Sequence, residues 1–450
     1  MKDTTHFMVE LYLSFMGTTY NSIFATLRYL KKYGILVEKG KYFLEGEELM
    51  VKRKKGILIL MLPAVFLGVI AVLLVSQAKA KKETPNTLLE QEKIEEVLEE
   101  PKSVKQEEQS EDLFEAYYEQ AEELLQTMTL EEKIGQMFLA RFPENEVIEE
   151  IQNHHPGGYL LFGRDFKEET KESIKQKLEQ CQQASKIKLI LGVDEEGGTV
   201  TRVSTYPAFR SSAFLSPQEL WQKGKLPAIL QDSTEKTKLL KSLGLNMNLT
   251  PVADVPTQED SFMYARSYGR GAEKTAIYVA KLTQRMNQDG MISAMKHFPG
   301  YGDNVDTHKE MAIDTRPYET FEKTDFLPFM SGIEAKGPCV LMSHNVVTSM
   351  DAEKPASLSA KVHHILREEL NFSGIILTDD LAMEAVSGYV QSGDAAVQAV
   401  LVGNDMIISS DFVGQKQEVL DAVKQGKIKE EQINQAVKRI LAWKHAYQII

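Results

Sequence analysis

The chain has 450 residues, 43% of them hydrophobic and 26% charged, which is the composition of a globular protein able to bury a core without disulfides. Its formal net charge of −13 argues against nucleic acid as the partner. Two cysteines, Cys181 and Cys339, are too few for a disulfide scaffold and lack the spacing of a metal site, although sequence alone leaves a pairing between them open.

The first feature in chain order is the run GILILMLPAVFLGVIAVLLV, residues 56–75, which carries no charge. At about 1.5 Å per residue it reaches roughly 30 Å, enough to span a hydrocarbon core. VKRKK precedes it, so residues 1–55 are expected in the cytoplasm and everything after 76 outside, a bias softened by Lys79, Lys81 and Lys82. An uncleaved signal anchor over 56–76 fits the length better than a signal peptide cut after Ala78-Lys79-Ala80, which would release the domain. A buried core helix fits least, because the run is apolar on every face. Met50 begins a typical export leader, so translation is expected to start there rather than at Met1.

Residues 77–112 are rich in Glu, Lys and Gln and read as a solvated stalk. Structured sequence begins near Leu113, and Thr129 followed by Glu132 predicts a capping box. Eight apolar runs then alternate with helical stretches: 136–141, 157–163, 188–194, 246–254, 291–298, 339–345, 374–380 and 405–410. Such alternation over residues 113–450 predicts an α/β fold, a (β/α)8 TIM-type barrel forming a single catalytic domain. An open doubly wound sheet is the alternative; no glycine-rich dinucleotide fingerprint follows the first strand to support it.

Five strands end in or lead into polar groups: Asp194; Asp254 and then Arg266; Lys296 and His297; Ser343 and His344; Asp379 and Asp380. In a parallel barrel all these ends meet on one face. Asp379 closes the apolar strand IILTD and can serve as a nucleophile or as the partner of a cation-like transition state. Asp380 is better placed to cap the following helix. Asp306 and His308 can form a dyad in which the carboxylate fixes the imidazole tautomer for acid/base work; a solvated loop histidine is the plainer reading. Lys296 and His297 look like ligand-binding donors, with a satisfied core histidine as the alternative for His297. A metal site is a rival reading, but metal-dependent hydrolases on this barrel favour His-x-His on the first strand, and QMFLARF has none.

The motifs together resemble a known family. KHFPGYGDNVDTH (296–308) is similar to the KHFPGHG…DSH signature of glycoside hydrolase family 3, in its β-N-acetylglucosaminidase branch. GVDEEGGTVTR (192–202) resembles that branch's VDxEGGRVxR, NLTPVADV (248–255) its FAPVxDV, ARSYG (265–269) its xRSxG, and GIILTDDLAM (374–383) its GVIFSDDLSM. The resemblance runs from about Thr129 to the C-terminus. It implies Asp379 as nucleophile, His308 as acid/base with Asp306 as its partner, and Asp194, Arg202, Arg266, Lys296 and His297 as sugar-binding residues. It implies no metal and no cofactor.

The family's two-domain glucosidases draw a Glu acid/base from a second domain. With about 70 residues after Asp379, this chain is expected to supply the acid/base from within the barrel. It departs from the family pattern at Tyr301 (usually His), Thr307 (usually Ser) and Thr199 (usually Arg). Three residues rather than four separate Gly302 from Asp306, which bears on the reach of His308. The expected function is therefore a membrane-tethered, extracellular exo-β-N-acetylglucosaminidase acting on terminal β-linked N-acetylglucosamine, including muropeptides. A β-glucosidase or β-xylosidase of the same fold, a silent glycan-binding protein, and phosphate in place of water as acceptor are the alternatives. The sequence names no oligomeric state.

Overall fold

The computed structural model describes residues 35–38, 41–44, 112–307, 312–383, 386, 389 and 395–450. The expected membrane span, nearly all of the expected stalk, and His308 lie outside the described residues. Among the described residues no helix is long and apolar enough to cross a membrane. The chain divides into two units, residues 1–106 and 107–450. In the first, strands Ile35–Glu38 and Lys41–Leu44 pair antiparallel, Ile35 opposite Leu44 and Glu38 opposite Lys41.

The second unit opens with helices α1 (Tyr118–Leu125) and α2 (Leu130–Gln136). The expected capping box is present: Thr129 accepts from the Glu132 N–H, and the Glu132 carboxylate accepts from the Thr129 N–H at 2.9 Å. Eight barrel strands follow among the described residues, beside a short parallel pair outside the barrel, Ile313–Asp314 with Val346–Val347. The eight are β1 (Phe138–Arg141), β2 (Gly158–Leu161), β3 (Ile190–Val193), β4 (Met247–Asn248), β5 (in two stretches, Ile292–Ser293 and Met295–Phe298), β6 (Cys339–Met342), β7 (Ile375–Thr378) and β8 (Ile407–Ser409). Each lies within one of the eight expected apolar runs.

The pairings close a ring, and all are parallel. β1 to β4 pair in sequence, and β4 pairs with the first stretch of β5. The second stretch of β5 pairs with β6, and β6 with β7. A bridge between Leu377 and Met406 joins β7 to the residue before β8, and β8 pairs with β1. Pro251 has no N–H to donate, and β4 is correspondingly short; pairing resumes at the Val252–Lys296 bridge. The result is an α/β barrel of parallel strands.

Helices cover the outside: α3 (Val147–His154), α4 (Lys171–Ala184), α5 (Pro217–Ser242, broken at Gly224–Lys225), α6 (Ala272–Gln288), α7 (Phe326–Glu334), α8 (Ala360–His364), α9 (Ala395–Val402), α10 (Phe412–Lys424) and α11 (Glu430–Ala446). Every residue of β2, β3, β6 and β7 is buried, as expected of strands covered on both faces. Trp443 and Leu441 of α11 join one continuous core with Phe138, Leu191 and Ile376. Lys444, also on α11, is fully buried, and its ammonium donates to Gln136 Oε1, Gly157 O and Lys188 O at 2.8 Å each. Those acceptors precede β1, β2 and β3, so Lys444 closes the face opposite the strand C-termini. Cys181 and Cys339 are both free and buried.

Candidate active site

The strand C-termini surround a cavity of about 620 Å³. Asp194, Arg202, Arg266, Lys296, His297, Asp306 and Asp379 all line it, so seven of the eight candidate site residues meet there. His308, the eighth, is outside the described residues.

The floor of the cavity is an ion cluster. Lys296, on β5 and 2% exposed, pairs its ammonium with Asp194 Oδ1 and, at 2.7 Å, with Glu196 Oε1. Arg266 clamps the same Glu196 through Nε (3.1 Å) and Nη2 (2.7 Å). Burial would push the Glu196 carboxyl up, but Arg266 and Lys296 outweigh it and hold the group well below the usual carboxylate range. Burial would lower the Arg266 guanidinium, and Glu196 holds it above its ordinary value instead. Glu196 is therefore a structural anion that fixes two cations at the cavity. It is the second acid after Asp194 in DEEGG, a signal the motif contains but which does not single it out from Glu195.

Glu195 has a different task. Its carboxylate is fully buried and accepts the N–H groups of Arg202 (2.8 Å), Val203 (2.7 Å) and Ser204 (3.3 Å), together with the Ser204 hydroxyl. The loop turns at Gly197, whose φ of +102° and close approach to Leu215 O leave no room for a Cβ. Lys236 donates to the Glu196 carbonyl at 2.8 Å and holds the loop from behind. These contacts fix the backbone of Arg202.

Beside the ion cluster, Asp254 orients His297: Oδ2 lies 2.8 Å from His297 Nδ1 and accepts the His297 N–H at 3.2 Å. The other ring nitrogen of His297, Nε2, lies 3.5 Å from Arg266 Nη2. His297 is thus both carboxylate-paired and at the cavity wall, rather than a core histidine satisfied by backbone.

The β5 loop is anchored residue by residue as far as it is described. Tyr301 donates its N–H to Asp254 Oδ1 (2.7 Å) and packs edge-on against His297, with centroids 5.5 Å apart. Its buried hydroxyl accepts the Thr307 N–H (2.9 Å) and shares a hydrogen bond with Thr307 Oγ1 (2.5 Å). Asp303 accepts from Thr257 N (2.8 Å) and Gln258 N (2.9 Å), tying the loop to the one after β4. Asn304 reaches Asp314, which Arg316 also holds. Two of the three residue departures from the family pattern, Tyr301 and Thr307, therefore touch each other.

Asp379 follows β7; its N–H donates to Met342 O (3.1 Å) and its Oδ1 accepts the Asp380 N–H (2.9 Å). Asp380 also borders the cavity, but its carboxylate is taken up by Ala382 N, Ser410 N and the Ser410 hydroxyl. Its carboxylate thus ties this turn to the end of β8; the helix it is expected to cap lies largely outside the described residues. His344 is buried behind this turn, with Nε2 3.0 Å from Asp380 O and Nδ1 2.7 Å from Ser357 Oγ. It braces the Asp379–Asp380 turn and is not among the cavity-lining residues. Arg141, Phe162, Phe262 and Met383 line the cavity without having been singled out by sequence.

This arrangement places a strand-end carboxylate and a cluster of paired charges around one cavity large enough for a sugar. The profile of the Glycosyl hydrolase family 3 N terminal domain matches residues 129–443. A beta-hexosaminidase of Nitrosomonas eutropha is 31% identical over 266 residues, 57% of this chain and 75% of that protein. A beta-hexosaminidase of Xylella fastidiosa is 30% identical over 265 residues, 57% of this chain and 77% of that protein. The structure of a glycoside hydrolase family 3 beta-N-acetylglucosaminidase from Paenibacillus superposes with a TM-score of 0.68 at 28% identity, covering 72% of this chain and 63% of that longer one.

Proposed function

The chain belongs to glycosyl hydrolase family 3 and is a glycoside hydrolase, and from that premise we propose that it is a retaining exo-β-N-acetylglucosaminidase. What supports the reading is one observation: Asp379, at the end of β7, shares a cavity with the Lys296–Asp194 and Arg266–Glu196 pairs, which can bind sugar hydroxyls. In the first step an Asp379 carboxylate oxygen bonds to the anomeric carbon as the bond to the leaving oxygen breaks. That oxygen takes its proton from His308, which the resemblance assigns as acid/base with Asp306. In the second step water gives a proton to His308 and its oxygen replaces Asp379 at the anomeric carbon. Two inversions give net retention.

Asp194, Arg202, Arg266, Lys296 and His297 hold the sugar in this reading. The substrate proposed is terminal β-linked N-acetylglucosamine, such as that released from peptidoglycan. The enzyme would act outside the cell, tethered by residues 56–76.

The test compares full-length protein on nitrophenyl β-N-acetylglucosaminide and nitrophenyl β-glucoside, with Asp379→Ala as the blank. Preference for the acetamido sugar, abolished in the variant, supports the reading. Preference for the glucoside overturns the substrate, and an active Asp379→Ala overturns the nucleophile. NMR of the first-formed product anomer checks retention, and membrane fractionation with external protease checks the tether.

A further inference from the structure

The cations of the cavity fall into two groups. Lys296 and Arg266 are neutralised by Asp194 and Glu196. Arg141 and Arg202 are not: among the described residues neither guanidinium has an ion-pair partner, and the Nε of each is buried with no hydrogen bond. Both belong to one sector of the rim. Arg141 ends β1 and lies over the Phe162 ring, its Cζ 4.8 Å from the centroid. Arg202 reaches the next residue, its Cδ 4.0 Å from where a Cβ on Gly163 would stand. The end of β2 is thus flanked by a guanidinium on each side. The nearest acid on that strand end, Asp165, accepts from Phe162 N (2.7 Å) and faces Arg164 at 3.4 Å.

A guanidinium held by an aromatic face, with a buried N–H unsatisfied, is oriented and yet under-bonded. Its planar fork matches two oxygens of a carboxylate or a phosphate. Two guanidinium groups without an ion-pair partner among the described residues, Arg141 over its ring and Arg202 beside it, raise the local positive potential on this wall. Asp165 feels the Arg141 charge, and Asp306, Asp379 and Asp380 stand in the same cavity. Resting on the glycosidase reading of this cavity, we propose that Arg141, with Arg202 beside it, forms an anion subsite, and that the substrate carries a carboxylate or phosphate near the bond that is cleaved. Arg141 is a specificity-determining residue in this assignment, separate from the neutralised Lys296 and Arg266, with Arg202 at the border between the sugar and the anion.

The test uses the full-length chain and three substrates: nitrophenyl β-N-acetylglucosaminide, the same glycoside with a carboxylate on the aryl ring, and the same glycoside phosphorylated at the sugar O6. For Arg141→Gln, kcat/KM on one of the two charged substrates is expected to fall about 10- to 100-fold relative to the neutral one. Arg141→Lys, which keeps the charge and loses the fork, is expected to fall between. The substrate that responds reports whether the anion sits on the leaving group or on the sugar. An equal change on all three overturns the proposal, and unchanged unfolding midpoints guard against a folding defect.

If the wild type turns over none of them, the glycosidase reading fails by itself. The subsite is then judged by whether millimolar inorganic phosphate raises the unfolding midpoint of the wild type but not of Arg141→Gln; no rise in the wild type overturns it.

Discussion

Replacing Glu196 by Gln keeps the shape of the side chain and removes its charge. Glu196 is 2% exposed at the side chain and receives Arg266 through two nitrogens and Lys296 through one. A glutamine can offer one oxygen, and its amide would point two N–H groups at a cation. Lys296 would keep Asp194, while Arg266 would be left without a carboxylate among the described residues. Breaking a buried pair by removing one partner costs about 3–5 kcal/mol. At about 1.4 kcal/mol per factor of ten, full expression in the bound state would lower kcat/KM by roughly two to three and a half orders of magnitude. The assay is steady-state turnover on the preferred nitrophenyl glycoside, with thermal unfolding alongside to see how much of the loss is global.

The pH dependence follows with its sign. The folded carboxyl sits below its unfolded value of 4.5, so its contribution to stability is complete above that value and is lost as pH falls below it. The wild type should therefore lose stability below pH 4.5 more steeply than Glu196→Gln. A variant within about threefold of wild type in kcat/KM, with an unchanged unfolding midpoint, would refute the view that Glu196 fixes the two cations.

Tyr301→Phe removes the acceptor for the buried Thr307 N–H and should cost about 1–3 kcal/mol locally. Because that bond lies next to Asp306, kcat should fall more than KM rises; an equal change in both would reduce Tyr301 to packing. Burial pushes Lys444 down to about 7 from 10.5, so between these values the unfolded chain binds more protons and stability rises with pH. Urea midpoints at pH 7, 8.5 and 10 should climb for the wild type and stay flatter for Lys444→Met, and a slope that survives in the variant would exonerate Lys444. The same variant should leave the pH profile of kcat/KM unaltered, since Lys444 closes the opposite face.

The strands were legible because parallel strands buried on both faces are written as unbroken apolar runs bounded by polar ends; IILTD and KLILGVD need no context. The capping box at Thr129 was legible because it is local, with both partners within three residues. The ion cluster was not, since Glu196 meets Arg266 and Lys296 across 70 and 100 positions of sequence and two strands of the barrel. Glu195 and Glu196 look alike in DEEGG, yet one accepts backbone N–H groups and the other binds side-chain cations, because successive residues there face different neighbours. Tyr301 reads as a departure from a motif; that its hydroxyl seats Thr307 depends on a turn no spacing rule predicts. The pairing of Ile35–Glu38 with Lys41–Leu44 was not legible, because the segment lies ahead of Met50, where translation is expected to start, and carries no predicted element of its own.

Glu195 has a consequence for how this cavity discriminates. Its charge is consumed by three N–H groups of its own loop, so none is left to attract a ligand. The loop reaches its working shape when the barrel forms, and the ordering of its residues, about 1–2 kcal/mol each in backbone entropy, is settled by folding and not by binding. A sugar arriving at this wall meets a template instead of a flap. Selection between epimers at this wall then rests on which hydrogen bonds each sugar can complete against it.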